Sequence, residues 1–123
     1  MKTILVADDD PVGRELIREI LELQGYQVME ASNGADAWAF IQVHAPDLVL
    51  LDIQMPVLDG FGVIRALRRE QRFQGITVFA LTAFAMRGDR EKALAAGFDG
   101  YIAKPINVPA FRELIRHALE RAG

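Results

Sequence analysis

Five polar residues that follow apolar runs carry the chemical potential of this chain. Asp8 and Asp9 follow Thr3-Ile4-Leu5-Val6-Ala7, Asp52 follows Leu48-Val49-Leu50-Leu51, Thr82 follows residues 76–81, and Lys104 follows Tyr101-Ile102-Ala103. Carboxylates brought together repel one another, and their pKa values rise unless a cation intervenes. An all-oxygen donor set with open geometry suits Mg²⁺, which keeps several waters and takes one or two carboxylates plus a phosphate oxygen. A carboxylate beside such an ion is a nucleophile toward phosphorus and gives an aspartyl phosphate. The ion and the Lys104 ammonium would neutralise phosphoryl oxygens, and the Thr82 hydroxyl would donate to another. Together these residue types describe acceptance of a phosphoryl group by a carboxylate.

Taken singly, each has an ordinary explanation. Acids favour helix N-termini, which accounts for Asp10 as an N-cap. Asp52 could cap a loop, Thr82 could end a strand, and Lys104 could be a solvated lysine. The informative feature is that four runs end in polar residues of matched chemistry.

The elements that must position them alternate between short β-rich runs and helical stretches. The first run leads to Asp10 as N-cap and Pro11 in a first helical turn. Leu16, Ile17, Ile20, Leu21 and Leu23 then recur at helical spacing until Gly25. A second strand is expected over Tyr26–Ala31, and a helix capped by Asn33 carries Ala37, Trp38 and Ile41. The third strand, Leu48–Leu51, ends in Asp52, and Asp59 precedes a helix with Phe61, Ile64 and Leu67. Ile76–Leu81 predicts a fourth strand, and a helix from about Gly88 stops at Gly97. Tyr101–Ala103 is the fifth strand, and Asn107 caps a last helix with Phe111, Leu114, Ile115 and Leu119. Strands apolar on both faces belong in a parallel sheet covered by helices on each side. The expected fold is a doubly wound α/β sheet of five strands and five helices. In such sheets ligands bind beyond the carboxyl ends of the strands, where all five polar residues would line one rim.

Composition excludes several other chemistries. The chain has 123 residues, 51% of them hydrophobic and 25% charged, as expected for one ordinary soluble domain spanning residues 1–123. Apolar runs such as Leu48–Leu51 are far too short for a membrane span, no signal peptide opens the chain, and a cytoplasmic location is expected. There is no cysteine, so disulfides, thiolate metal sites and cysteine nucleophiles are excluded. The only two histidines, His44 and His117, stand far apart, so a His-rich metal site or a Ser-His-Asp triad is hard to build. The net charge of −3 argues against general nucleic-acid binding. Residues 1–60 hold eleven acids and three bases, and residues 61–123 hold six acids and eleven bases. An acidic site in the first half with its counter-charge in the second would produce that asymmetry, as would ordinary solvated faces.

Two motif matches need weighing. Gly60-Phe61-Gly62 opens a G-x-G without a strand leading into it, so a dinucleotide fingerprint fails, and no Walker-type phosphate loop is present. Asp8-Asp9-Asp10-Pro11-Val12 does match D-x-D-x-[VT], the opening motif of haloacid-dehalogenase-type phosphatases. Those enzymes also use an aspartyl phosphate, Thr or Ser, Lys and Mg²⁺, and their nucleophile here would be Asp8. That alternative leaves Asp52 without a role and wants a further acidic motif after the lysine, where only Glu113 and Glu120 remain. A flavodoxin-like FMN protein is disfavoured because three aspartates after the first strand would repel the FMN phosphate.

In combination, the motifs resemble a response-regulator receiver domain across essentially the whole chain. They are Ile4-Leu5-Val6-Ala7-Asp8-Asp9-Asp10-Pro11, Leu51-Asp52-Ile53-Gln54-Met55-Pro56 with Asp59-Gly60, Leu81-Thr82-Ala83, and Tyr101-Ile102-Ala103-Lys104-Pro105. The resemblance implies the CheY-like strand order 2-1-3-4-5 and a two-component signalling role, with Asp52 as phosphoacceptor. It implies that Asp9 ligates Mg²⁺ directly, Asp8 acts through a metal-bound water, and Asp52 and the Gln54 backbone carbonyl complete the protein ligands. Lys104 would pair with the phosphoryl oxygens, and its bond to Pro105 is expected to be cis. Thr82 and Tyr101 would form a switch pair. The protein would be a phosphoacceptor signalling domain, not an enzyme in the ordinary sense, promoting its own phosphorylation and dephosphorylation.

The last helix is expected to end near Arg121, with no DNA-binding or catalytic output module visible. If residues 1–123 are the complete protein, signalling would proceed by protein–protein contact, as in the single-domain regulators of the DivK type and the hybrid-kinase receivers that the chain also resembles. A histidine kinase or histidine phosphotransfer protein would dock beside the first helix on Val12, Gly13, Leu16, Pro105 and Ile106. A downstream effector protein would meet Phe84, Met86, Tyr101 and Ala103, with Phe98 expected in the core. Gln54 and Phe84 flank the site and would tune hydrolysis. Arg65, Arg68, Arg69 and Arg72 read as a solvated helical face.

Overall fold

The computed structural model describes residues 1–55, 57–83 and 88–122, without the side chains of residues 121 and 122. Its elements are β1 (Thr3–Ala7), α1 (Pro11–Leu23), β2 (Gln27–Ala31), α2 (Gly34–His44), β3 (Leu48–Asp52), α3 (Gly60–Arg69), a 3₁₀ turn (Gln71–Phe73), β4 (Thr77–Thr82), α4 (Asp89–Ala96), β5 (Gly100–Ala103) and α5 (Val108–Ala122). The strands form one parallel sheet in the order β2-β1-β3-β4-β5.

Residues alternate strictly between the two faces of the central strands, as a period of two requires. Leu5, Ala7, Val49, Leu51, Val78 and Ala80 join the core under α2, α3 and α4. Their neighbours Ile4, Val6, Leu48, Leu50, Phe79 and Leu81 join the core under α1 and α5. Because both faces are covered, every residue from Ile4 to Ala7 and from Leu48 to Leu51 is fully buried. The uninterrupted apolar runs follow directly from this double burial.

The expected caps Asp10, Asn33 and Asn107 are present, and Asp59 caps α3 as well. Asp10 accepts from the Val12 N–H, Asn33 from Asp36, Asp59 from Gly62 and Asn107 from Ala110. Two strands start one residue later than their apolar runs. The Tyr26 N–H is committed to Leu21 O at the end of α1, and the Ile76 N–H to Phe73 O in the 3₁₀ turn. The arginine face also differs from expectation at Arg68, which is folded onto the protein instead of solvated. Its guanidinium donates to the carbonyls of Gly97, Gln74 and Ile76 and pairs with Asp99 at 2.8 Å.

Candidate functional site

Parallel strands in register bring the expected residues to one edge. Ala7 pairs with Leu51, Asp52 with Leu81, and Thr82 with Ala103, so Asp8, Asp52, Thr82 and Lys104 emerge side by side. Asp8, Asp52 and Thr82 are buried, whereas Asp9 is exposed at the lip. Carboxylate oxygens of Asp8, Asp9 and Asp52 lie within 4.8 Å of one another.

Lys104 crosses the sheet edge to reach this cluster. Its ammonium donates to Asp8 Oδ2 at 2.5 Å and to Asp52 Oδ2 at 3.2 Å. Its backbone N–H is tied to Thr82 O at 2.7 Å, and the following bond to Pro105 is cis. The remaining oxygens have their own donors. Asp8 Oδ1 accepts from the Asp10 N–H at 3.0 Å, and Asp52 Oδ1 accepts from the Gln54 N–H at 2.8 Å.

Burial pushes the Asp52 carboxyl above the ordinary carboxylate range, and the negative charge of Asp8 adds to it. The Gln54 hydrogen bond and Lys104 oppose that rise without cancelling it. For Lys104, burial acts to lower the pKa. The hydrogen bond to Asp8 and the charges of both carboxylates outweigh it and hold the ammonium more firmly protonated than usual. Three carboxylates facing one ammonium leave an excess of two negative charges. An oxygen-only donor set with that excess fits a hard divalent cation.

Tyr101 is half-buried on β5, and among the described residues its hydroxyl is buried without a hydrogen-bond partner. A cleft of about 210 Å³ between β5 and α5 is lined by Tyr101, Ala103, Pro105, Ile106 and Leu114. A larger cavity of about 510 Å³ lies at the other end of the sheet, against Gly75, Thr77 and His117 and away from the carboxylates. Val12 and Leu16 are exposed on α1, and Phe98 is core, as expected. Pro56, Phe84 and Met86 lie outside the described residues.

The structure adds two residues that the motifs did not point to. Arg14 donates from Nη1 to the Asp8 carbonyl at 2.6 Å and from Nε to Glu30 at 2.9 Å. Glu30 also accepts from Arg18 at 2.8 Å. No local pattern announces the Glu30 contacts, because they join α1 to a strand 12 to 16 residues away, and the Arg14 contact with Asp8 is made to a backbone carbonyl.

This chain belongs to the response regulator receiver domain family, whose model matches residues 4–116. Receiver domains accept phosphoryl groups in two-component signalling and work with histidine kinases. The polar-differentiation response regulator DivK of Brucella anthropi is 38% identical over 96% of both chains. The receiver domain of Francisella response regulator 1452 superposes with a TM-score of 0.92 at 27% identity, with both chains wholly covered. The receiver domain of sensor histidine kinase PA1611 from Pseudomonas aeruginosa superposes with a TM-score of 0.89 at 32% identity, covering 97% of this chain and 98% of that one. That structure holds a magnesium ion in its active-site cleft. The phosphatase alternative gains no support from these comparisons.

Proposed function

We propose that this chain is a phosphorylation-controlled binding module that takes a phosphoryl group onto Asp52 from a histidine kinase or histidine phosphotransfer protein. The observation that carries the proposal is the Lys104 ammonium donating to both Asp8 and Asp52, with Asp9 completing the carboxylate cluster. A carboxylate oxygen of Asp52 attacks phosphorus, the new O–P bond forms as the N–P bond of phosphohistidine breaks, and the imidazole departs. Lys104 turns from its carboxylate partners toward the phosphoryl oxygens, and the Thr82 hydroxyl donates to another. Asp8, Asp9, Asp52 and the Gln54 carbonyl would hold Mg²⁺, which when bound supplies charge neutralisation at the phosphoryl group.

Release of the signal would run through Thr82 and Tyr101. Among the described residues the buried Tyr101 hydroxyl has no partner, a costly arrangement that favours a tyrosine able to change position when Thr82 moves toward the phosphoryl group. The cleft beside Tyr101, Pro105 and Ile106 would then alter shape for a downstream effector protein. Residues 1–123 would act as one signalling domain, not as an enzyme. In this reading the chain works in the cytoplasm and its partners are proteins, neither nucleic acid nor membrane. Among the described residues, no helix is long and apolar enough to cross a membrane.

Asp8 as the nucleophile of a phosphatase is disfavoured by its surroundings. It is completely buried whereas Asp52 keeps a small exposed fraction, its use would leave Asp52 without a role, and the family model that matches this chain is that of the receiver domain. The deciding experiment is intact mass after incubation with acetyl phosphate and Mg²⁺ for wild type, Asp52→Asn and Asp8→Asn. A base-labile gain of one phosphoryl group that disappears in Asp52→Asn is the expected result. Turnover of phosphate monoesters that survives Asp52→Asn and is lost in Asp8→Asn would overturn it.

A further inference from the structure

We infer that Arg14 is a positioning residue for the divalent cation: it fixes the peptide that carries Asp9. The inference rests on the Mg²⁺ site proposed above. The Asp8 carbonyl and the Asp9 N–H belong to one rigid peptide plane, so holding that carbonyl fixes the Asp9 N and Cα from which its side chain projects. Arg14 holds the carbonyl at 2.6 Å through Nη1. Its own backbone is anchored to Asp10 O at 3.0 Å, and its side chain reaches back over the first turn, as helical side chains do. Glu30 fixes the other end of the guanidinium through Nε at 2.9 Å.

Asp8 is held a second time by β2. The Asp8 N–H donates to Ala31 O at 3.0 Å, on the strand that carries Glu30. β2 therefore grips the Asp8 residue at its N–H directly and at its carbonyl through Arg14. Asp8 and Asp52 are also fixed by Lys104, whereas Asp9 is the exposed member of the cluster. The geometry of Asp9 depends most on its backbone, and hence on Arg14.

The sign of the effect separates positioning from simple charge. A guanidinium close to an acidic site opposes a cation, so deleting its charge alone would tighten Mg²⁺ binding. Loss of positioning weakens it, and groups that orient metal ligands typically change affinity by roughly ten- to a hundredfold. Calorimetric titration of Mg²⁺ into the full chain tests this with wild type, Arg14→Gln, Arg14→Lys and Arg18→Gln, each with a thermal melt. Arg14→Gln is expected to bind Mg²⁺ about tenfold more weakly. The Mg²⁺ concentration giving half-maximal labelling by acetyl phosphate should rise by the same factor, with the rate at saturating Mg²⁺ retained. Arg14→Lys keeps the charge but can satisfy only one of the two acceptors, and should fall between. It also carries the test should Arg14→Gln fail to fold. Arg18→Gln removes a charge from the same helix and one of the two arginines on Glu30 but leaves the Arg14 contact with the Asp8 carbonyl in place, and should bind Mg²⁺ as tightly as wild type or slightly more so. Unchanged or tighter binding in Arg14→Gln overturns the inference, as does equal weakening in Arg18→Gln. Absence of Mg²⁺ binding in wild type would instead remove the cation site on which it rests.

Discussion

Gly60 lies directly against the backbone of Asp52. A methyl group at position 60 would stand 2.6 Å from Asp52 O and 2.8 Å from Ile53 Cα, both main-chain atoms that cannot rotate away. The first residue of α3 is therefore packed onto the peptide that ends β3 and aims the Asp52 carboxylate. Gly60→Ala should force that peptide to shift. Overpacking of this kind costs about 1–3 kcal/mol. The expected outcome is a lower melting temperature together with slower labelling of Asp52 by acetyl phosphate. Lost stability with an unaltered labelling rate would mean that α3 moves and β3 does not.

The metal-free site should carry an electrostatic penalty at neutral pH. Burial and the nearby Asp8 charge raise the Asp52 pKa, so the folded state holds this proton more tightly than the unfolded state. The stability linked to the group is fully present below the unfolded pKa and is lost as pH rises through the raised folded value. In EDTA at pH 7–8, Asp52→Asn should therefore be more stable than wild type, with Lys104 still paired to Asp8. Relief of roughly 1 kcal/mol would raise the melting temperature of a domain this size by about 3–6 °C. The gap should close toward pH 4, and Mg²⁺ should stabilise wild type more than the variant. A variant less stable than wild type at pH 8 would refute the penalty.

At the opposite end of the sheet, Arg68 binds together the entries to β4 and β5 and the end of α4. It donates to Gln74 O, Ile76 O and Gly97 O and pairs with Asp99, whose Oδ2 also accepts from the Val78 N–H. Charge-assisted hydrogen bonds contribute about 1.5–3 kcal/mol each where they are buried, and these are only partly so. Arg68→Ala is expected to cost about 2 kcal/mol in urea denaturation, and Arg68→Lys should recover less than half because an ammonium cannot span the same acceptors. Labelling of Asp52 below the melting range should be unaffected. A loss under about 0.5 kcal/mol would place Arg68 with ordinary surface arginines.

The contrast between Arg68 and Asp52 shows what a single sequence displays. Asp52 is legible because the apolar run before it names its strand, and parallel packing then names its neighbours. Asp10, Asn33, Asp59 and Asn107 are legible because capping is a short-range hydrogen bond. Strand order comes from family resemblance, since apolar periodicity does not rank strands. Arg68 and Arg14 are illegible because their acceptors are mostly backbone carbonyls and a carboxylate on other elements. Ala45 at φ 45° and Val57 at φ 71° likewise occupy left-handed backbone that their side chains do not advertise. The 3₁₀ turn at Gln71–Phe73 is fixed by Phe73 entering the core, a tertiary effect.

The phosphodonor surface gives the last prediction. Val12 and Leu16 stand one helical turn apart on α1 and are 76% and 51% exposed, unlike the buried Ile17, Ile20 and Leu21 of the same helix. Such residues contribute little to the fold, and beside a site that must receive a phosphoryl group from another protein they are suited to contact that protein. Acetyl phosphate needs no such contact. Leu16→Glu places a charge in the surface without disturbing the core, so its melting temperature should match wild type. Phosphotransfer from a histidine kinase or phosphotransfer domain should slow by about tenfold or more, the effect of losing a central apolar contact. Labelling by acetyl phosphate should proceed at the wild-type rate. Equal losses with both donors would show that Leu16 acts on the site itself, and equal retention would move the docking surface off α1.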